Sequence, residues 1–177
     1  MRAAISWLDR TSAFLDRIAL WGAVLAVAAL VLLAGWQAAA RYVLDQPPSW
    51  TEELARYVMV WAGLLGASCA FRTNADPSLF PAARVRTDRV GRVYAVARAL
   101  GALVFVTPIL WYCLFGLNGR IGSGYIARNA KQMADTVDVP MSVFAMAVPV
   151  GFGLILIHLL AHVATVLTHV DKDRDAA

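Results

Sequence analysis

The stretch Ser49-Trp-Thr-Glu-Glu-Leu-Ala-Arg-Tyr-Val-Met-Val-Trp-Ala-Gly-Leu-Leu-Gly-Ala-Ser-Cys-Ala-Phe-Arg72 joins a polar helix start to an apolar body of membrane length. Pro47 and Pro48 stop whatever precedes it, and Ser49 with Glu52 fits a capping box, which predicts a helix from about Trp50. Trp50, Leu54, Tyr57 and Trp61 fall on one aromatic and apolar face, while Glu52 and Arg56 stand four apart, where opposite charges pair. Tyr57 to Phe71 carries no charge. From Trp50 to Phe71 a helix rises roughly 33 Å, about the thickness of the hydrocarbon core of a bilayer. Ala62, Gly66 and Ala70 recur every four residues, with Gly63 and Ala67 beside them, forming a small-residue face where a second helix can approach closely.

Working outward, the 177-residue chain is 60% hydrophobic and only 16% charged, a balance that excludes an ordinary soluble domain. The expected architecture is all-α and integral to a membrane, one domain over 1–177 with spans at about 18–40, 50–71, 94–117 and 139–163. Eleven of the 16 basic residues fall on one side if four spans alternate; Arg41, Arg56, Arg120, Arg128 and Lys131 take the other. The positive-inside rule then puts both termini and the Arg72–Arg98 loop in the cytoplasm, so the +4 net charge reports orientation and not a nucleic-acid partner. The arginines of that loop suit anionic headgroups.

Ahead of the first span, Ile5, Trp7, Leu8, Phe14, Leu15 and Ile18 share one half of a helical wheel and Ser6, Asp9, Arg10, Asp16 and Arg17 the other. This predicts an interfacial amphipathic helix over about 3–17, lying on the inner leaflet. The apolar run 18–40 is too long for the core of a cleaved signal, which favours an uncleaved first span. The short link to Ser49 forces a hairpin and brings Arg41 beside Glu52 and Glu53, either as a partly desolvated cluster that ties helix ends together or as a solvated one of little energetic weight. Cys69 and Cys113 are expected to be buried, inert thiols too far apart to bridge. Pro108 predicts a kink in the third span and Pro149 an interruption of the fourth.

His158, His162 and His169 lie within about 40° of each other on the last helix, the arrangement of a metal or haem ligand set. No other span supplies a facing histidine, so these histidines are expected to serve helix packing or the interface, with no cofactor. A serine–histidine–carboxylate set, a phosphate loop and paired carboxylates within the membrane are all missing from the sequence, which argues against an enzyme.

Trp50-Thr-Glu-Glu-Leu-Ala-Arg-Tyr57, then Val60-Trp61 and Leu65-Gly-Ala67 before Arg72, resembles the signature of the small, DctQ-like membrane subunit of tripartite ATP-independent periplasmic (TRAP) transporters. Pro140-Met141 and Pro149-Val-Gly151 resemble that family's final helix, whereas Thr73-Asn-Ala-Asp-Pro77 departs from the glycine and histidine usual after the arginine. The resemblance implies a non-catalytic scaffold, or stator, in the bacterial inner membrane, partnered by a large multi-span permease that carries the substrate and sodium sites. A periplasmic substrate-binding protein would deliver organic acids or related solutes. Arg41, Trp50, Glu52, Glu53, Arg56, Tyr57 and Trp61 are then candidates for a partner-docking or structural cluster, and Ala62, Gly63, Gly66, Ala67 and Ala70 for helix packing. The alternative is a self-contained four-helix transporter or exporter, which would need an acidic residue near mid-membrane for coupling.

Overall fold

The computed structural model describes residues 2–75, 89–116 and 119–174 of the chain. Among these residues the structure is helical, without strands: α1 (Arg2–Val43), α2 (Ser49–Arg72), α3 (Arg89–Leu114), the short α4 (Tyr125–Asn129) and α5 (Met141–Ala145), and α6 (Ala147–Arg174). Among the described residues four stretches are long and apolar enough to cross a membrane: Ser6–Val43, Ser49–Arg72, Val93–Leu114 and Met141–Thr165. Most of the basic loop, including Arg84 and Arg86, and the end of the expected third span at Leu117 lie outside the described residues.

The expected division into an interfacial helix and a first span is absent. α1 runs unbroken for 42 residues, roughly 63 Å, because nothing between Arg2 and Val43 is a proline and the one glycine at the join region, Gly22, is held in a packed contact. The hairpin to α2 closes through Asp45 at φ 52, a left-handed conformation that aspartate tolerates, with Gln46 N–H donating to Ala40 O at 3.3 Å.

The α2 start also differs from expectation. Pro48 is the N-cap and no side chain caps the helix, so Ser49 is already inside the first turn and the Ser49–Glu52 capping box does not form. Thr51, fully buried, instead donates its hydroxyl to Pro48 O at 2.7 Å.

α2 is the centre of the bundle. Its Leu65 meets α1, where a Cβ on Gly22 would stand 2.9 Å from Leu65 Cδ1. Its Leu64 meets α6, where a Cβ on Gly151 would stand 2.7 Å from Leu64 Cβ. Consecutive residues point about 100° apart on a helix, so these two contacts place α1 and α6 on adjoining flanks of α2. Ala19, Ala23, Leu65 and Cys69 form the buried core, with Trp61, Val150 and Leu154 against it. Small residues dominate because, in lipid, close backbone approach contributes more to association than apolar transfer.

α3 packs on α6, with Phe105 and Phe152 edge to face at 5.9 Å, and its first turns reach α2 through Arg98, whose guanidinium sits 4.3 Å above the Phe71 ring. Pro108 is accommodated within α3. Pro149 does mark an interruption: its ring opposes the carbonyl of Ala145 and it has no N–H to donate, and α5 ends at Ala145 before α6 starts at Ala147. At the α3 end, Gly116 at φ 65 lets the chain fold back; a Cβ there would lie 2.5 Å from Ser123 O.

Candidate functional site

Polar side chains gather at the two ends of α2. At its N-terminal end Glu53, 4% exposed, accepts hydrogen bonds from the backbone N–H of Asp135 at 2.8 Å and of Thr136 at 2.7 Å, from the Thr136 hydroxyl, and from the Tyr57 hydroxyl at 3.0 Å. The loop that supplies these donors is a narrow turn held by Ala134 N–H to Val139 O at 3.0 Å and Met141 N–H to Gln132 O at 2.9 Å. Tyr57 stacks on Phe144 of α5 with ring centroids 4.0 Å apart and also touches Met141 Sδ at 3.1 Å. One carboxylate thereby joins α2 to the turn before α5, and the aromatic pair joins α2 to α5 itself. Ionised acceptors make the strongest hydrogen bonds of this kind, and here four donors satisfy the oxygens of Glu53.

The sequence placed Glu53 in a cluster with Arg41, Glu52 and Arg56. The structure separates them. Arg41, Glu52 and Arg56 are exposed. Among the described residues the ion pairs within 4.0 Å are those of Arg72, so neither the Arg41–glutamate contact nor the Glu52–Arg56 pair forms in this chain. Glu53 is bonded instead to the donors of the 135–136 turn and to Tyr57. Trp50 is 40% exposed, and Trp61 is half-buried against the core.

At the other end of α2, Arg72 reaches α1, and α6 joins the same cluster through Ser12. Its guanidinium pairs with Asp9 at 3.4 Å and Asp16 at 3.9 Å and donates to the hydroxyl of Ser12, which is fully buried. Ser12 Oγ in turn lies 2.7 Å from Nδ1 of His158, itself 3% exposed. Cys69 Sγ–H donates to Asp16 O at 3.7 Å. Asp9, Ser12 and Asp16 recur at i, i+3 and i+7, so a single face of α1 provides all three partners. His158 is thus a helix-packing residue; the His169 side chain lies outside the described residues. This junction was missed in the sequence, although the Asp9–Ser12–Asp16 stripe was there to be read.

The small-residue face behaves differently from its neighbours. A Cβ added to Gly63 or Gly66 would meet nothing within 4 Å; Gly63 and Ala67 are exposed, and Ala62, Gly66 and Ala70 are half-buried. Within the chain the close approaches use Gly22 and Gly151 instead. Cys69 and Cys113 are buried free thiols.

These arrangements define a helical membrane protein whose polar groups fasten helices and turns to each other. The sequence from residue 30 to residue 169 matches the family model described as "Tripartite ATP-independent periplasmic transporters, DctQ component". The chain belongs to that family: it is the small membrane subunit of a TRAP transporter, a transporter component and not an enzyme. A comparison with curated proteins finds no match.

Proposed function

We propose that this subunit is a stator: a non-catalytic scaffold for a large permease subunit of a sodium-coupled importer, which takes organic acids or related solutes from a periplasmic binding protein. The observation that carries this reading is where its charges stand. No Asp, Glu, Lys or Arg occurs in 18–40, 57–71, 99–119 or 139–170, so no ionisable carboxylate stands mid-membrane to couple an ion. Glu53, the most completely bonded acid, has its oxygens occupied by donors of its own chain. The open face at Ala62, Gly63, Gly66, Ala67 and Ala70 is a surface suited to a helix of the large subunit. Coupling sodium and substrate would then be bound by that partner.

The arginine asymmetry supports an inner-membrane topology with both termini and the 72–98 loop cytoplasmic. Single cysteines at Gln46 and Ser123, in a background without Cys69 and Cys113, should react with an impermeant thiol reagent on intact spheroplasts, and one at Thr87 should not. The reverse pattern would invert the topology.

Reconstitution tests the stator reading itself. The purified chain alone in liposomes should take up no organic acid under a sodium gradient, and co-reconstitution with its large subunit and loaded binding protein should restore uptake. Saturable, gradient-driven uptake by this chain alone would establish it as a transporter in its own right.

A further inference from the structure

The N-terminal third of α1 inverts the arrangement of an ordinary amphipathic helix. Its polar stripe faces the bundle, with Ser12 buried, Asp16 half-buried and Asp9 exposed at the edge, and is held by Arg72 and His158. Its aromatic side is turned outward: Trp7 is 69% exposed and Phe14 66%. Because the polar contacts fix the rotation of the helix, the outward face cannot roll under cover. It carries a groove of 470 Å³ lined by Trp7, Arg10, Thr11, Phe14 and Leu15. Trp7, Thr11, Phe14 and Leu15 lie within about 100° on the helical wheel, and Arg10 with Arg17, at i and i+7, runs along one edge. Both arginines are exposed, and neither makes an ion pair within 4.0 Å among the described residues.

We propose that this groove binds an anionic phospholipid, with an acyl chain along Trp7, Phe14 and Leu15 and the phosphate at Arg10 and Arg17. The chemistry of the lining selects this occupant. An apolar trough flanked by guanidinium groups complements a molecule with a hydrocarbon body and a negative head, and a guanidinium binds phosphate through paired N–H donors. The height is also right. Arg72, the partner of the inward face, ends a helix roughly 36 Å long, which puts this part of α1 at the boundary between acyl chains and headgroups. Aromatic residues concentrate at that boundary.

Native mass spectrometry of the full-length chain in detergent, titrated with phosphatidylglycerol or with phosphatidylcholine of the same acyl chains, tests the site. Phosphatidylglycerol should be retained at least about fivefold more tightly, the effect of roughly one basic residue at an anionic surface. Arg10→Gln with Arg17→Gln should remove that preference, the paired lysine substitutions should keep it, and Trp7→Ala with Phe14→Ala should weaken both lipids. Equal retention of the two lipids by the wild-type chain, or a preference that survives the double glutamine variant, would overturn the proposal. A photoreactive residue at position 14 in the assembled complex should label lipid; labelling of the large subunit there would assign the groove to protein instead. The titration involves no transport, so its failure would leave the stator reading intact.

Discussion

The two ends of α2 hold a charged residue in opposite ways. Glu53 receives three of its four donors from one turn more than 80 residues away in sequence, two of them backbone N–H groups whose positions the turn itself dictates. Arg72 reaches three side chains along one face of α1, among them Asp9, whose side chain is 60% exposed. The first is a closed socket and the second a clasp that is partly open to its surroundings. The contrast teaches that the identity of the residue should matter far more at Glu53 than at Arg72, although each bears a single charge.

The sharpest way to break this comparison is Glu53→Gln. The amide keeps one acceptor oxygen but sets an NH2 donor where the other stood, so the N–H of Asp135 or of Thr136, each bonded to a different oxygen of Glu53, loses its acceptor and faces a second donor; the unfolding midpoint in detergent should fall by about 10 °C. A fall no larger than that of Arg72→Gln would abolish the distinction between socket and clasp. Between the two ends, Gly151→Val should lower the midpoint by about 4–8 °C, because its side chain would enter Leu64. Gly66→Val should leave the isolated chain unchanged and weaken co-purification of the large subunit; an equal loss of stability in both variants would show that the Gly66 face is filled within the chain.

Arg72→Gln should cost about 3–5 °C, since partly exposed pairs contribute little and the main loss is the hydrogen bond to buried Ser12. If Arg72→Gln and Ser12→Ala are made together, the combined effect should be smaller than the sum of the two, as expected for groups in contact. Strict additivity would dissolve the clasp. The smallest effect belongs to Glu52→Gln, exposed beside Glu53 on the same turn, which should shift the midpoint by less than about 2 °C.

Much of the fold was legible in the chain because lipid imposes simple rules. Each span had to be long, apolar and helical, and the charges had to collect at its ends. The prolines located the interruption at Ala145–Ala147 for a local reason, the missing N–H of Pro149. The site was less legible. Glu53 and Tyr57 stand out within a motif, but the short hairpin sets Arg41 beside Glu52 and Glu53, as a tied or a solvated cluster, because nearness in sequence is the only guide to a partner. The capping box failed in the same way: the pattern was present, and the helix began one residue too early for it.

The sequence by itself determined the class of this protein, the number of its membrane-spanning helices and the resemblance that the family match later established. Hydrophobic run length and charge placement are properties of single segments, and each segment meets the bilayer on its own. Only the tertiary structure decided which face of each segment turned inward. The amphipathic stripe of α1 was visible, yet its polar side packs inward, because Arg72 and His158 arrive there from helices some 60 and 146 residues away. In water an apolar face turns inward, whereas in lipid the polar groups are the costly ones to leave outside, and which of them find each other is fixed by how the helices pack.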